Sequence, residues 1–270
     1  MNAVTEIKLD TPKMIARKEA GIGWIIFNNP ERRNALSLDM WRAVADIVER
    51  YANDDEVRVA VMAGAGDKAF VSGADISEFE KHRSSAEAEE EYNRISTEAQ
   101  GALTRFDKPL IAMIQGFCIG GGLAVALQAD IRIASDDSQF AIPAARLGLG
   151  YGFGGLRTLA NLVGPAMAKE ILFTARRFSS DEALRIGLVN RIVSRDDLEP
   201  SVRDLAGMIA NNAPMTVRAA KAAIGEAYKD PADRDLAMID RMVRECFDSE
   251  DYVEGRRAFM EKRKAEFKGR

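Results

Sequence analysis

The chain has 270 residues, 47% of them hydrophobic and 30% charged, a composition typical of one large globular domain or of one domain with a small appendage. Its formal net charge of −4 argues against a nucleic-acid partner, and its apolar runs are shorter than the roughly 18 residues that a membrane span needs. Cys118 and Cys246 lack disulfide or metal-ligand spacing, and the first residues resemble no signal or transit peptide, so a cytoplasmic location is predicted.

The first part of the chain alternates predicted strands and helices. A buried strand is predicted in "GWIIFNNP" (residues 23–30), and Ser37 is the predicted N-cap of the amphipathic helix that follows. Further strands are predicted in "VRVAVMAG" (57–64) and "FVSGADI" (70–76). The charged segment between the last of these and the next strand has a mostly helical pattern.

A second group of short elements lies in the middle of the chain. The strand "PLIAMIQG" (109–116) leads to a small apolar helix in "GGLAVALQAD" (121–130). Two more strands are predicted in "IRIAS" (131–135) and "QFAI" (139–142). From residue 143 onward the pattern is helical throughout.

The order of these elements predicts the overall organisation. A strand–strand–helix rhythm repeats through residues 20–145, which predicts turns of a spiral that each bury one face on the next turn. The last hundred residues or so read as helices with short links. We therefore predict an α/β core of residues 1–195 and a C-terminal helical region of residues 196–270, which together form one functional unit.

Two glycine-marked loops are the candidate chemical site. The segments 72–75 and 120–122 each follow a predicted strand and precede a predicted helix, so their backbone N–H groups are free to point outward. Two such loops that met would offer two N–H donors to one oxygen, an arrangement that stabilises an oxyanion or an enolate. The competing interpretation is tight helix–strand packing. Dinucleotide binding and a phosphate-binding P-loop are disfavoured, because neither glycine spacing is present.

Five blocks of the sequence, in order, resemble the enoyl-CoA hydratase/isomerase (crotonase) superfamily. The blocks are "NNPERRNALS", "AGAGDKAFVSGADISEF", "KPLIAMIQGFCIGGGLAVALQADIRIAS", "FAIPAARLGLGYGFGGLRTLANLVGPAMAKEILFTARRFSSDEALRIGLVNRIV" and "NAPMTVRAAKAAI". The resemblance implies a crotonase-like α/β spiral of ββα turns with a C-terminal helical region that forms trimers, usually paired as hexamers. It also implies an acyl-CoA thioester substrate, with no separate cofactor and no metal.

The resemblance also assigns roles to individual residues. It places the two oxyanion-hole amides at Ala74 and Gly121, the two loops identified above. The residues that it places against coenzyme A are Arg33, Ala35, Asp75, Ile76, Phe259 and Lys262. Phe259 and Lys262 belong to the C-terminal segment and are expected to reach coenzyme A in the same or an adjacent subunit, although Lys262 also fits a solvated surface lysine.

The chain departs from the family pattern at both catalytic glutamates. Hydratases of the family carry one glutamate just after the three glycines and one just after the proline of the following strand, where this chain has Ala124 and Ala144. No glutamate occurs between residues 99 and 169, so a shift of the alignment does not restore them. Each acid/base group contributes about 10²–10⁴-fold to a rate, so ordinary hydration is predicted to be weak.

Other polar residues could replace the missing groups. Tyr151 lies near the position where other branches place an aspartate or a tyrosine, and a tyrosine there resembles methylmalonyl-CoA decarboxylase, although that branch has a histidine in place of Ala74. A packed aromatic is the competing interpretation of Tyr151. Arg146 could bind a substrate carboxylate or form an inter-subunit ion pair. Glu78 and Glu80 could reach the pocket from the loop that follows the Ala74 segment, although a surface position is the favoured interpretation. His82 is predicted to be a solvated surface residue.

Three functions remain open from the sequence. The first is a lyase or isomerase of the enoyl-CoA hydratase type, with a thioester enolate stabilised by the two amides and displaced acid/base groups. The second is a decarboxylase, or another branch that cleaves a C–C or thioester bond, using Tyr151. The third is a catalytically silent protein that binds acyl-CoA.

Overall fold

The computed structural model of the protein describes residues 4–75 and 86–270, with the side chains of 4–75 and 90–270. The strands of the larger sheet in these residues are β1 (Thr5–Ile7), β2 (Met14–Glu19), β3 (Ile22–Phe27), β4 (Val59–Gly64), β6 (Leu110–Ile114), β8 (Ile131–Ser135) and β11 (Arg191–Val193). Their order in the sheet is β1-β2-β3-β4-β6-β8-β11. The first three are antiparallel neighbours, and the pairs from β3 to β11 are parallel.

A smaller sheet lies beside the larger one and carries the chemical site. Its strands are β5 (Ala69–Val71), β7 (Phe117–Ile119), β9 (Gln139–Ala141) and β10 (Phe178–Ser179), in the order β10-β9-β7-β5. The strands β5, β7 and β9 are parallel, and β10 is antiparallel to β9. The carboxyl ends of the three parallel strands therefore lie at one edge of this sheet.

Helices complete each turn of the spiral and form the C-terminal region. They are α1 (Leu38–Ala52), α2 (Ala86–Arg105), α3 (Gly121–Ala126), α4 (Ala144–Leu147), α5 (Phe153–Val163), α6 (Pro165–Thr174), α7 (Ser180–Arg185), α8 (Leu198–Ala210), α9 (Pro214–Ala227), α10 (Leu236–Asp248) and α11 (Glu250–Glu261). The successions β4–β5–α2, β6–β7–α3 and β8–β9–α4 each give one strand to the larger sheet, one to the smaller sheet and one helix. The predicted spiral of strand–strand–helix turns is confirmed.

Strands β3, β4 and β6 of the larger sheet are buried on both faces, which explains why they are continuous apolar runs. In β4, Ala60 and Met62 join the core between the two sheets, whereas Val59, Val61 and Ala63 face the other way. That second face packs against α8 through three small or branched side chains, Leu198, Val202 and Ala206. The first helix of the C-terminal region is therefore packed on the sheet of the core.

One local prediction is wrong, and another is confirmed in position but not in its hydrogen bond. The helical pattern predicted from residue 143 onward is interrupted by β10 and β11, which are two and three residues long and pair with strands some forty to sixty positions earlier. Such short strands have no periodicity of their own, because partner strands create them. The helix α1 begins at Leu38 as predicted, but the hydroxyl of Ser37 makes no capping bond and is buried without a partner among the described residues.

The last two helices expose large apolar side chains. No residue of α10 is buried, and Phe247 in it is 59% exposed. In α11, Val253 is 64% and Phe259 is 83% exposed. Of the helices in the described residues, none combines the length and apolar character needed to cross a bilayer.

Candidate functional site

Ala74 and Gly121 lie next to each other at the carboxyl edge of the smaller sheet. Ala74 follows β5 by three residues and Gly121 follows the neighbouring strand β7 by two. A Cβ atom placed on Gly121 would lie 3.7 Å from the amide nitrogen of Ala74. The fold thus brings together the two loops that the sequence singled out.

The hydrogen bonds on either side of Ala74 set the direction of its N–H group. Leu36 donates its N–H to the carbonyl of Gly73 (2.8 Å) and accepts the N–H of Asp75 at its own carbonyl (2.9 Å). In this parallel bridge between Leu36 and Ala74, alternate peptide groups point to opposite sides. The N–H of Ala74 therefore points away from Leu36, toward the side where Gly121 lies.

Neither of the two amides has an acceptor in the part of the chain that the structure describes. Gly121 is the first residue of α3, where an N–H group has no intrahelical acceptor, and the N–H of Ala74 makes no backbone bond. Two adjacent N–H donors without acceptors suit an oxygen that gains negative charge during a reaction.

The three glycines of this loop are needed for different reasons. Gly120 has φ of +55°, a left-handed conformation that glycine adopts without strain. A Cβ on Gly122 would lie 2.0 Å from the carbonyl oxygen of Val71, so no side chain fits there. A Cβ on Gly121 would make only ordinary van der Waals contacts, and the lack of a side chain there keeps the space next to Ala74 open.

Asn34 holds this loop system together and was missed by the sequence analysis. Its side chain is fully buried, accepts the N–H of Asn29 (2.9 Å), and donates to the carbonyls of Ala65 (3.0 Å) and Ala69 (2.8 Å). In the same loop, the carbonyl of Arg33 accepts the N–H of Ser72 (3.1 Å). An asparagine in a short loop between a strand and a helix, where side-chain bonds to the backbone are common, is the signal that could have identified it.

Ala144 and Ala124 are the two positions at which the resemblance leads us to expect the glutamates of the family. Ala144 is 6% exposed and begins α4, three residues beyond the carboxyl end of β9, so it lies at the same edge as Ala74 and Gly121. Ala124 is half-buried in α3. Asp130 is engaged elsewhere, since it accepts the N–H of Leu110 (2.7 Å) and the Lys221 ammonium group (2.8 Å).

Tyr151 follows α4 in a glycine-rich segment. Its ring is half-buried against the main core, and this burial raises the pKa of its phenol above the ordinary value. The hydroxyl has no hydrogen-bond partner among the described residues, and Arg146 is exposed without an ion pair in the same part of the chain. Ile76, Glu78, Glu80 and His82 lie outside the described residues. In those that are described, no group of three His, Cys, Asp or Glu side chains could hold a metal ion.

The residues predicted to bind coenzyme A fall into two places. Arg33 is exposed, with φ of +52°, whereas Ala35 and Asp75 are buried beside the loop of Ala74. Phe259 and Lys262 end α11, and the segment after them packs at the opposite end of the larger sheet.

A hydrogen bond defines that opposite end. The guanidinium group of Arg58, just before β4, donates to the carbonyl of Phe267 (3.0 Å), whereas the site loops follow the carboxyl ends of the strands. No hydrogen bond or ion pair among the described residues links Phe259 or Lys262 to the loops of Ala74 and Gly121. Their binding of coenzyme A from an adjacent subunit stays a prediction.

Comparisons with known proteins identify the relatives of this chain. A family model described as enoyl-CoA hydratase/isomerase matches residues 17–270. The chain is 38% identical to a short-chain-enoyl-CoA hydratase of Clostridium acetobutylicum, over 97% of this chain and all of that protein, and 39% identical to a crotonyl-CoA hydratase of Syntrophomonas wolfei, over 94% and 97%. The crystal structure of an enoyl-CoA hydratase/carnithine racemase from Magnetospirillum magneticum superimposes with a TM-score of 0.91 at 36% identity, covering 97% of each chain.

Proposed function

The chain belongs to the enoyl-CoA hydratase/isomerase family, and on that basis we propose that it binds an acyl-CoA thioester and stabilises the enolate formed from it. The observation that carries the proposal is the position of the Ala74 amide nitrogen, 3.7 Å from where a Cβ of Gly121 would be. In this proposal the thioester oxygen accepts both N–H groups.

The two donors act on the charge that the reaction creates. Removing the α-proton of a thioester, or adding a nucleophile to its conjugated double bond, moves an electron pair onto the thioester oxygen. Donors already aimed at that oxygen stabilise this charge more than the neutral ground state, and loss of one such donor typically raises the barrier by about 2.7–4 kcal/mol. The site thus supports enolate chemistry of the hydratase/isomerase type, as lyase or isomerase, without a separate cofactor.

Tyr151 favours a second candidate, cleavage of a C–C bond. Ala124 and Ala144 cannot abstract a proton, and a phenol with a raised pKa is a donor at neutral pH. Loss of CO₂ from a malonyl-type thioester needs no base: the bond between the α-carbon and the carboxylate breaks, and its electron pair forms the enolate. Tyr151 would then donate its proton to the α-carbon and recover one from water.

Turnover of a panel of thioesters tests these functions. We expect binding of all three members of the panel, which are crotonyl-CoA, methylmalonyl-CoA and a β-ketoacyl-CoA. The affinity is measured by calorimetry with a non-hydrolysable enoyl-CoA analogue. Hydration or isomerisation of the first supports the hydratase type, and release of CO₂ from the second supports the decarboxylase. Binding of all three without turnover identifies a silent acyl-CoA-binding protein, and absence of binding contradicts the proposal as a whole.

We also propose that the protein forms a trimer or a hexamer in the cytoplasm. The exposed apolar side chains of α10 and α11 support assembly through the C-terminal helices. Light scattering should give three or six times the chain mass of 29.7 kDa. A monomer at micromolar concentration would rule the assembly out.

A further inference from the structure

Two arginines that are far apart in the sequence lie over the same aromatic ring. The Cζ atom of Arg33 is 5.1 Å from the ring centroid of Phe117, and that of Arg177 is 5.2 Å from the same centroid. The two guanidinium carbons are therefore separated by no more than about twice that distance. Both arginines are exposed, whereas the ring between them is half-buried.

Neither arginine has a carboxylate partner in the part of the chain that the structure describes. The contrast with the adjacent Arg176 is direct, because Arg176 forms ion pairs with Glu170 and Glu182. Two exposed like charges within about 10 Å of each other repel weakly, and their positive potentials add at a point between them. A bound anion would remove the repulsion and accept the hydrogen bonds that both guanidinium groups leave unused.

The smaller sheet holds this pair beside the site. Phe178 in β10 pairs with Phe140 in β9 and stacks on its ring (centroids 5.7 Å apart), which fixes the backbone next to Arg177. Because β10 is antiparallel to β9, Arg177 precedes β10 at the carboxyl end of β9, the edge that also carries Gly121. Phe117 begins β7 and lies four residues before Gly121, so at most about 13 Å of chain separates them.

The backbone also connects Arg33 to the oxyanion loop. Its carbonyl accepts the N–H of Ser72, two residues before Ala74. The two guanidinium groups therefore lie away from the Ala74 and Gly121 amides. They are carried by backbone segments next to the loops that position those amides. A coenzyme A thioester has this same layout, because its phosphates are joined to the thioester through the length of the pantetheine arm.

We infer that Arg177 and Arg33, held on Phe117, bind the phosphates of the nucleotide part of coenzyme A. This inference rests on the proposed function and adds Arg177, a residue that neither the sequence motifs nor the resemblance assigned. The guanidinium fork is suited to phosphate oxygens, and stacking on the ring pre-orders it.

The test compares two ligands that differ only in the nucleotide. Affinities for acetyl-CoA and for S-acetylpantetheine are measured by calorimetry for the wild type, Arg177→Gln and the control Arg185→Gln, which removes an exposed arginine of α7 without an ion pair in the described residues. Arg177→Gln should weaken acetyl-CoA binding about 10–100-fold and leave S-acetylpantetheine binding unchanged. Arg185→Gln should change neither affinity more than about twofold.

Further measurements separate the possible phosphates and the possible failures. If the effect of Arg177→Gln disappears with 3′-dephospho-CoA, the 3′-phosphate is the ligand, and if it persists, the diphosphate is. Arg177→Lys keeps the charge but not the planar fork, so its loss of affinity should be intermediate and confined to acetyl-CoA. This variant replaces Arg177→Gln in the test if Arg177→Gln does not fold.

The inference is overturned if Arg177→Gln binds acetyl-CoA as well as the wild type, or if it loses both ligands equally. Those outcomes leave the proposed function standing. A wild type that binds neither ligand overturns the proposed function as well.

Discussion

The side-chain amide of Asn34 donates to the carbonyl of Ala69 at 2.8 Å and thereby ties the loop after β3 to the first residue of β5. The same loop forms the bridge with Ala74, so the position of the Ala74 amide, one of the two donors in the proposed oxyanion site, depends on a side chain forty residues away. Asn34 is thus a positioning residue for the Ala74 amide.

Asn34→Gly should weaken this positioning without straining the backbone. Asn34 has φ of +56°, which glycine accepts readily, so the variant removes only the side-chain hydrogen bonds. We expect the free energy of unfolding to fall by about 2–4 kcal/mol. The absorption red shift of a bound dienoyl-CoA, which reports polarisation of its carbonyl, should shrink while the dissociation constant changes less than about threefold. An undiminished red shift would show that Asn34 stabilises the fold alone.

Gly121→Ala and Gly122→Ala should fail in different ways. A methyl group on Gly122 meets the Val71 carbonyl oxygen at 2.0 Å, so the backbone must move and unfolding should become easier by more than about 3 kcal/mol. A methyl group on Gly121 makes only ordinary contacts but narrows the space next to the Ala74 amide. That variant should keep the wild-type melting temperature and lose turnover by up to about 10²–10³-fold. Equal turnover in Gly121→Ala and wild type would argue against the proposed oxygen site.

Hydration of crotonyl-CoA should be slow because Ala124 and Ala144 carry no proton-transfer group. With about 10²–10⁴-fold per group, we expect kcat/KM at least about 10³-fold below that of relatives with both glutamates, measured side by side from the loss of enoyl absorbance. The double variant Ala124→Glu/Ala144→Glu should raise the rate, at a cost in melting temperature because Ala144 is 6% exposed and a buried carboxylate is destabilising. A wild-type rate equal to that of the relatives would mean that another residue supplies the chemistry.

Tyr151→Phe should lower kcat and leave the affinity for coenzyme A unchanged, because the lost proton donor acts only in the transition state. Burial raises the pKa of this phenol, so the neutral, donating form persists to above the ordinary value of about 10. Turnover that depends on Tyr151 as a donor should therefore show no alkaline limb from this group below about pH 10. The stability linked to the buried neutral phenol is likewise complete below that pH and decreases only above it. An unchanged kcat in the Phe variant would leave Tyr151 as a packing residue.

The sequence by itself determined the features that depend on local patterns. Apolar runs ended by glycine or proline located β3, β4 and β6, since a strand buried on both faces needs no polar alternation. The glycines at 73 and 120–122 identified the two loops with outward N–H groups, because close backbone approach and left-handed conformations require that residue type. The ordered motifs identified the family, and the alanines at positions 124 and 144 were visible without any structure.

Only the tertiary structure decided which of these features meet. The Ala74 and Gly121 amides are adjacent because β5 and β7 are neighbouring parallel strands, a pairing between segments almost fifty residues apart. Other long-range contacts created the two-residue strand β10 against β9, placed Arg177 over Phe117 and gave Asn34 its buried acceptors. Ser37 received the position of a cap without its hydrogen bond. Local propensity sets where a strand or helix begins. The contacts between distant segments depend instead on how whole faces of sheets and helices are buried. One short stretch of sequence therefore does not specify the distant segment with which it pairs.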